Sequence, residues 1–227
     1  MNRFDTARGL TRGIAAVLPD PAARVAVVPV NAGGDALLTE AERERAGGFR
    51  FAKRKGDWTA GRAAAKLALC DIAGSSPGEL TVDTGPSGEP VVRGAGFGVS
   101  ITHAGGMAAA VAFPRHRPIG IDLEPVVALD PDLASITCND PEQRWLAERP
   151  ADRANESLLR IWTAKEAAVK LTGTGLRVPL ARVRIEPVEP ELHEVAVRLP
   201  GASGSETSCR VRIVPLDNWI AALAWFP

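Results

Sequence analysis

The chain has 227 residues, 45% of them hydrophobic and 24% charged, a balance that suits a folded protein with one large core or two small ones and excludes a disordered chain. Lysine plus arginine and aspartate plus glutamate stand at 27 each, so no overall field draws the protein to nucleic acid or an acidic membrane, and any recognition of phosphate has to be local. Cys70, Cys138 and Cys209 are odd in number, widely spaced and free of any Cys-x-x-Cys pairing, which disfavours a disulfide framework and a zinc site.

In chain order, Met1 to Pro21 reads as a loose lead-in, and Arg24 to Val30 as a first strand. Thr39 can cap a short helix through Ala46, with acids in its first turn. A longer helix is expected from Lys55 to Ala73, with Trp58, Ala65, Leu69 and Ile72 on an apolar face and a stop at Gly74. Gly85-Pro86-Ser87-Gly88 is a turn, and Val91-Val92, Gly98 to Thr102, Met107 to Phe113 and Ile119 to Leu123 follow as short strands. Asp140 can cap a helix begun by Pro141, and Ala151 to Leu171 makes a long helix ended by Gly173. Val183 to Ile185, Val195 to Leu199, Cys209 to Val214 and Trp219 to Trp225 close the chain as strands. The order, helix then strands and again helix then strands, suggests two similar halves. Ala63-Ala64-Ala65-Lys66-Leu67 and Ala167-Ala168-Val169-Lys170-Leu171 align, setting Lys66 against Lys170. No apolar run reaches membrane-spanning or signal-peptide length, so a cytoplasmic protein is expected.

The chemistry concentrates in two segments. In Gly120-Ile121-Asp122-Leu123-Glu124 the two carboxylates are two apart and leave the same face of an extended strand. In Trp162-Thr163-Ala164-Lys165-Glu166-Ala167-Ala168-Val169-Lys170, the residues Trp162, Glu166 and Lys170 are four apart and form one helical stripe. A hard cation such as Mg²⁺ takes oxygen ligands and is usually shared between a few carboxylates and substrate phosphates, so Asp122, Glu124 and Glu166 form a candidate metal set with Lys170 facing phosphate. Upstream, Ser100 to Gly106 places a hydroxyl and the imidazole of His103 at a strand end.

In order and spacing these elements resemble the Sfp-type 4′-phosphopantetheinyl transferases. That family carries Gly-[Ile/Val]-Asp-x-Glu and Trp-[Ser/Thr]-x-Lys-Glu-x-x-x-Lys, both present here without a gap. Its strand-end Ser-His is represented by Thr102-His103, and its arginine-rich helix by Gly61-Arg62. The resemblance implies an α/β (α+β) fold of two pseudo-symmetric halves, each a long helix on a small, mostly antiparallel sheet, with coenzyme A in the cleft. The halves are expected at residues 1–115 and 116–227.

It further implies transfer of the 4′-phosphopantetheine arm of coenzyme A to a serine of an apo acyl or peptidyl carrier protein, with Mg²⁺, releasing adenosine 3′,5′-bisphosphate. Arg62, Lys66 and His103, then Arg45, Lys53, Thr102, Lys165 and Lys170, are the residues it assigns to coenzyme A. Glu142 is the candidate for general base by position, with Glu166, directly or through a water, as the alternative. Where many members have Gly-Lys-Pro, this chain has Gly88-Glu89-Pro90, and Thr137-Cys138 stands in place of a Phe-Phe pair. A monomer without nucleic-acid or membrane partners is expected. A Mg²⁺-dependent nucleotide pyrophosphate hydrolase and a non-catalytic coenzyme A or carrier-binding module are the alternative functions.

Overall fold

The computed structural model describes residues 2–94, 96–130, 132–173, 178–186, 192–201 and 205–227, which form two compact units, Met1–Ile119 and Gly120–Pro227. The division lies a few residues beyond the expected 115/116 boundary.

The first unit begins with a helix, α1 (Arg3–Ala15), where a loose lead-in was expected. Asn2 caps it by accepting from the Asp5 amide, and Ala7, Leu10 and Ile14 supply a narrow buried stripe that low overall hydrophobicity conceals. The helix covers the outer strand β1 (Arg24–Pro29): the Val27 amide donates to the Thr11 hydroxyl at 3.1 Å, satisfying an edge group that would otherwise invite pairing. Next come α2 (Glu40–Gly47), with a reciprocal capping box between Thr39 and Glu42, and the long α3 (Ala52–Ala73), ended by Gly74 at φ 65°. Strands β2 (Val82–Thr84), β3 (Pro90–Val92), β4 (Phe97–Ala104) and β5 (Met107–Pro114) follow as antiparallel neighbours, with β5 between β1 and β4. Alanines of α3 meet Val82, Val92, Val99 and the alanines of β5 to form the core.

The second unit repeats this plan. β6 (Ile119–Pro125) is followed by α4 (Leu133–Thr137), α5 (Asp140–Ala147) and the long α6 (Ala151–Thr172), ended by Gly173 at φ 67°. The cap of α5 is Asn139, one residue before the expected Asp140, and it forms a second capping box, with Glu142. Strands β7 (Arg184–Glu186), β8 (Glu194–Pro200), β9 (Glu206–Leu216) and β10 (Trp219–Trp225) complete a sheet of order β6-β10-β9-β8-β7. The first unit has the same neighbours in β1-β5-β4, with the β2-β3 hairpin beyond. On the face of the second sheet away from α6, Arg184, Glu186, Arg198, Glu206, Glu194, Arg210 and Arg212 pair across strands and keep that face in water. Cys138 and Cys209 are buried thiols, Cys70 is half-buried, and none is bridged.

Candidate active site

Two groups of functional side chains are described, one in each unit. In the second unit, Gly120 governs the approach of β6 to α6. A Cβ there would lie 2.0 Å from the Ala167 carbonyl oxygen, so only glycine lets the strand cross the helix backbone at this point. Asp122 and Glu124 share that face, and the close crossing presents them to the α6 stripe. Lys170 Nζ donates to Asp122 Oδ1 at 2.6 Å. Glu124 accepts a hydrogen bond from the Trp162 indole, so Trp162 orients a carboxylate as well as packing on the core.

Burial pushes the Glu124 carboxyl up to about 7, and the neighbouring Asp122 charge adds to this, while Lys170 and the Trp162 hydrogen bond pull it back. Burial also raises Glu166, with Lys170 opposing and Asp122 reinforcing. Among the described residues the Glu166 carboxylate accepts no hydrogen bond, and no three metal-ligating side chains converge into a ready-made cage. Three crowded carboxylates with one lysine nonetheless fit a hard cation that keeps waters and shares its ligands with a substrate phosphate. Asp122, Glu124 and Glu166 are the residues that would hold it.

The first unit carries a cleft of about 640 Å³ lined by Arg45, Lys53, Arg54, Arg62 and His103 together with Phe49 and Trp58. Gly61 brings α3 onto β4, since a Cβ there would sit 3.0 Å from Ile101, and the next residue, Arg62, enters the cleft wall. Arg62 stacks on Trp58 at 4.8 Å and donates to the Asp83 carbonyl and the Thr84 hydroxyl at 3.1 and 3.0 Å. Its Nε is buried without a hydrogen-bond partner, and burial lowers the guanidinium pKa to about 10. Lys53 pairs with Asp57 at 2.8 Å, and His103 is exposed at the end of β4. Thr102 points to the opposite face and is buried, outside the cleft lining. Glu89 folds back into its own turn and accepts from the Ser87 amide at 2.8 Å.

Three assignments require correction. Lys66 was expected at coenzyme A, yet it is wholly buried: Nζ meets Glu42 Oε2 at 2.8 Å and the Pro77 and Leu80 carbonyls at 2.8 and 2.7 Å. Lys165, expected at phosphate, is likewise wholly buried and donates to Glu142 Oε2 at 2.5 Å and to the Thr137 and Leu180 carbonyls at 2.8 and 3.1 Å. An ammonium has three protons, and both are fully spent inside the protein. Glu142, the expected general base, is the other half of the Lys165 pair and also accepts from the Asn139 and Ile185 amides at 3.0 Å each. A carboxylate with no exposure and three donors is placed to hold the fold, not to take a proton from substrate. The repeat therefore matches Lys66 with Lys165, not with Lys170 as the alanine runs suggest.

Residues 118–224 match the 4′-phosphopantetheinyl transferase superfamily, and residues 50–113 match the 4′-phosphopantetheinyl transferase N-terminal domain, so each unit carries its own family signature. These matches define a transferase of the class that acts on coenzyme A and carrier proteins. The chain is 31% identical over 197 residues to the 4′-phosphopantetheinyl transferase HetI of Nostoc sp., spanning 83% of this chain and 78% of that protein. It is 29% identical over 140 residues to the 4′-phosphopantetheinyl transferase psf-1 of Bacillus pumilus, spanning 61% of this chain and 57% of that one. The chain belongs to the 4′-phosphopantetheinyl transferase family.

Proposed function

We propose that this enzyme transfers the 4′-phosphopantetheine arm of coenzyme A to a serine of an apo acyl or peptidyl carrier protein, with Mg²⁺, and releases adenosine 3′,5′-bisphosphate. The observation that carries this reading is the cluster of Asp122, Glu124, Glu166 and Lys170 where β6 crosses α6. The serine Oγ attacks the β-phosphorus of the pyrophosphate, the bond from that phosphorus to the bridging oxygen breaks, and the bisphosphate leaves with the electron pair. Asp122, Glu124 and Glu166 would hold Mg²⁺, which would neutralise charge on the phosphate oxygens. Lys170 meets the same pyrophosphate as a point charge. Glu166 takes the serine proton: unlike Glu142, its carboxylate accepts from no structural donor among the described residues. In the first unit, Arg45, Lys53, Arg62 and His103 bind phosphate charge remote from the bond being broken, which strengthens substrate binding more than it changes the chemical step.

Mass spectrometry of an apo carrier protein incubated with coenzyme A and Mg²⁺ tests the proposal. Gain of the phosphopantetheine mass on the carrier serine, together with adenosine 3′,5′-bisphosphate, is the expected result. Release of that product without a mass gain would mean a hydrolase, and neither change would mean a binding module.

A further inference from the structure

The buried ion pair occurs twice, with the same partners in the same roles. Glu42 and Glu142 each close a capping box at the start of a short helix. In each, Oε2 takes the lysine and the cap-residue amide, while Oε1 takes the amide of a strand residue, Val82 or Ile185, at 3.0 Å. Each lysine adds two backbone carbonyls from segments distant in sequence, Pro77 and Leu80 in one unit, Thr137 and Leu180 in the other. Each pair thus ties a long helix, a short helix and a strand at one buried point.

The two long helices need such a point because their buried faces are rich in alanine: Ala60, Ala63, Ala64, Ala65 and Ala68 in α3, and Ala164, Ala167 and Ala168 in α6. Small, uniform side chains give shallow ridges that specify rotation and axial position weakly, whereas a saturated ammonium tolerates little displacement. Such register-setting is the best-attested use of buried polar groups. The functional residues stand beside the tie. Glu166 follows Lys165 directly, and Arg62 lies one turn before Lys66 and bonds to Asp83 and Thr84, next to the tethered Val82.

We propose that the Glu142–Lys165 and Glu42–Lys66 pairs are duplicated positioning devices, the first acting through Glu166 on metal binding and the second through Arg62 on coenzyme A binding. This rests on the site reading given above. A displacement of about 1 Å in a reacting constellation costs on the order of 10²-fold in rate, so a tie that serves only stability and one that serves position are separable.

The test compares Glu142→Leu/Lys165→Met and Glu42→Leu/Lys66→Met with wild type and with Glu166→Gln. Titration calorimetry would follow Mn²⁺ binding to the coenzyme A complex and coenzyme A binding itself, with circular dichroism as the check on folding. The first double variant is expected to fold and to weaken Mn²⁺ binding about tenfold or more while leaving affinity for metal-free coenzyme A close to wild type; the second should do the reverse. If the folded double variants keep both affinities while Glu166→Gln loses Mn²⁺, the pairs are structural only and the proposal is overturned, with the metal reading intact. If Glu166→Gln also keeps Mn²⁺, the metal reading falls and this proposal falls with it. Should a double variant not fold, Glu142→Gln or Glu42→Gln, which preserve shape and remove the charge, are expected to shift the same affinity in the same direction, and an unchanged affinity overturns the proposal equally.

Discussion

Replacing Glu42 by alanine removes one carboxylate and strands four donors. Lys66 Nζ loses its counterion, the Val82 amide its side-chain acceptor, and the Thr39 amide and hydroxyl their capping partner. Breaking a buried pair from one side typically costs about 3–5 kcal/mol, because a charge remains in the core without compensation. At roughly 2–4 °C per kcal/mol for a chain of this size, the midpoint of thermal unfolding should fall by about 6–20 °C near neutral pH. The difference should also depend on pH in a defined sense. Burial alone would raise the Glu42 pKa, but Lys66 and the Thr39 and Val82 amides outweigh it and hold the carboxyl below its usual 4.5. A depressed folded-state pKa contributes stability that is present above the unfolded value and lost as pH falls through the folded one. Wild type should therefore lose more stability than Glu42→Ala on acidification below about pH 4.5, and the two melting curves should converge. Thermal melts by circular dichroism between pH 3 and 8 provide the measurement. A midpoint drop of under about 2 °C at pH 7, or a gap that widens in acid, would refute the reasoning.

Gly120→Ala drives a methyl group into the Ala167 carbonyl, so about 1–3 kcal/mol of stability should be lost and Asp122 displaced, which paired denaturant titration and transfer assays would register. Asp122→Ala should abolish most transfer at saturating Mg²⁺ while the protein stays folded; near-normal turnover would remove the metal proposal. His103→Ala, an exposed change at the end of β4, should raise KM for coenzyme A with kcat largely kept, and an equal loss in both would place His103 at the chemistry instead.

The strands are legible wherever alternation is bounded by a turn: the expected strand Trp219–Trp225 coincides with β10, with Asp217 at φ 51° turning the chain before it. The long helices were legible from their length and glycine stops. The first helix escaped because its few apolar residues are spread thinly among arginines and glycines, although Ala7, Leu10 and Ile14 recur at helical spacing and Asn2 with Asp5 three positions on is a capping cue. At the site, the spacing of Asp122, Glu124, Glu166 and Lys170 carried over into spatial proximity because strand and helix periods dictate faces. The burial of Lys66, Lys165 and Glu142 did not, because spacing carries no direct statement of depth. A signal was present all the same: Thr39-x-x-Glu42 and Asn139-x-x-Glu142 each announce a capping box, and each is followed by a lysine set within an alanine-rich helix.

Acceptor counting separates the three lysines Lys66, Lys165 and Lys170, which the resemblance alike assigns to coenzyme A. Lys66 and Lys165 each meet three oxygens from separate segments and have no exposure, so neither has a proton left to offer a ligand. Among the described residues Lys170 meets one oxygen, of Asp122, and it keeps 27% of its side chain exposed. Two of its protons remain available to a phosphate, and the Asp122 contact aims the ammonium along the face where Glu124 and Glu166 stand. Of the three, Lys170 alone joins charge to access, which supports its proposed role at phosphate.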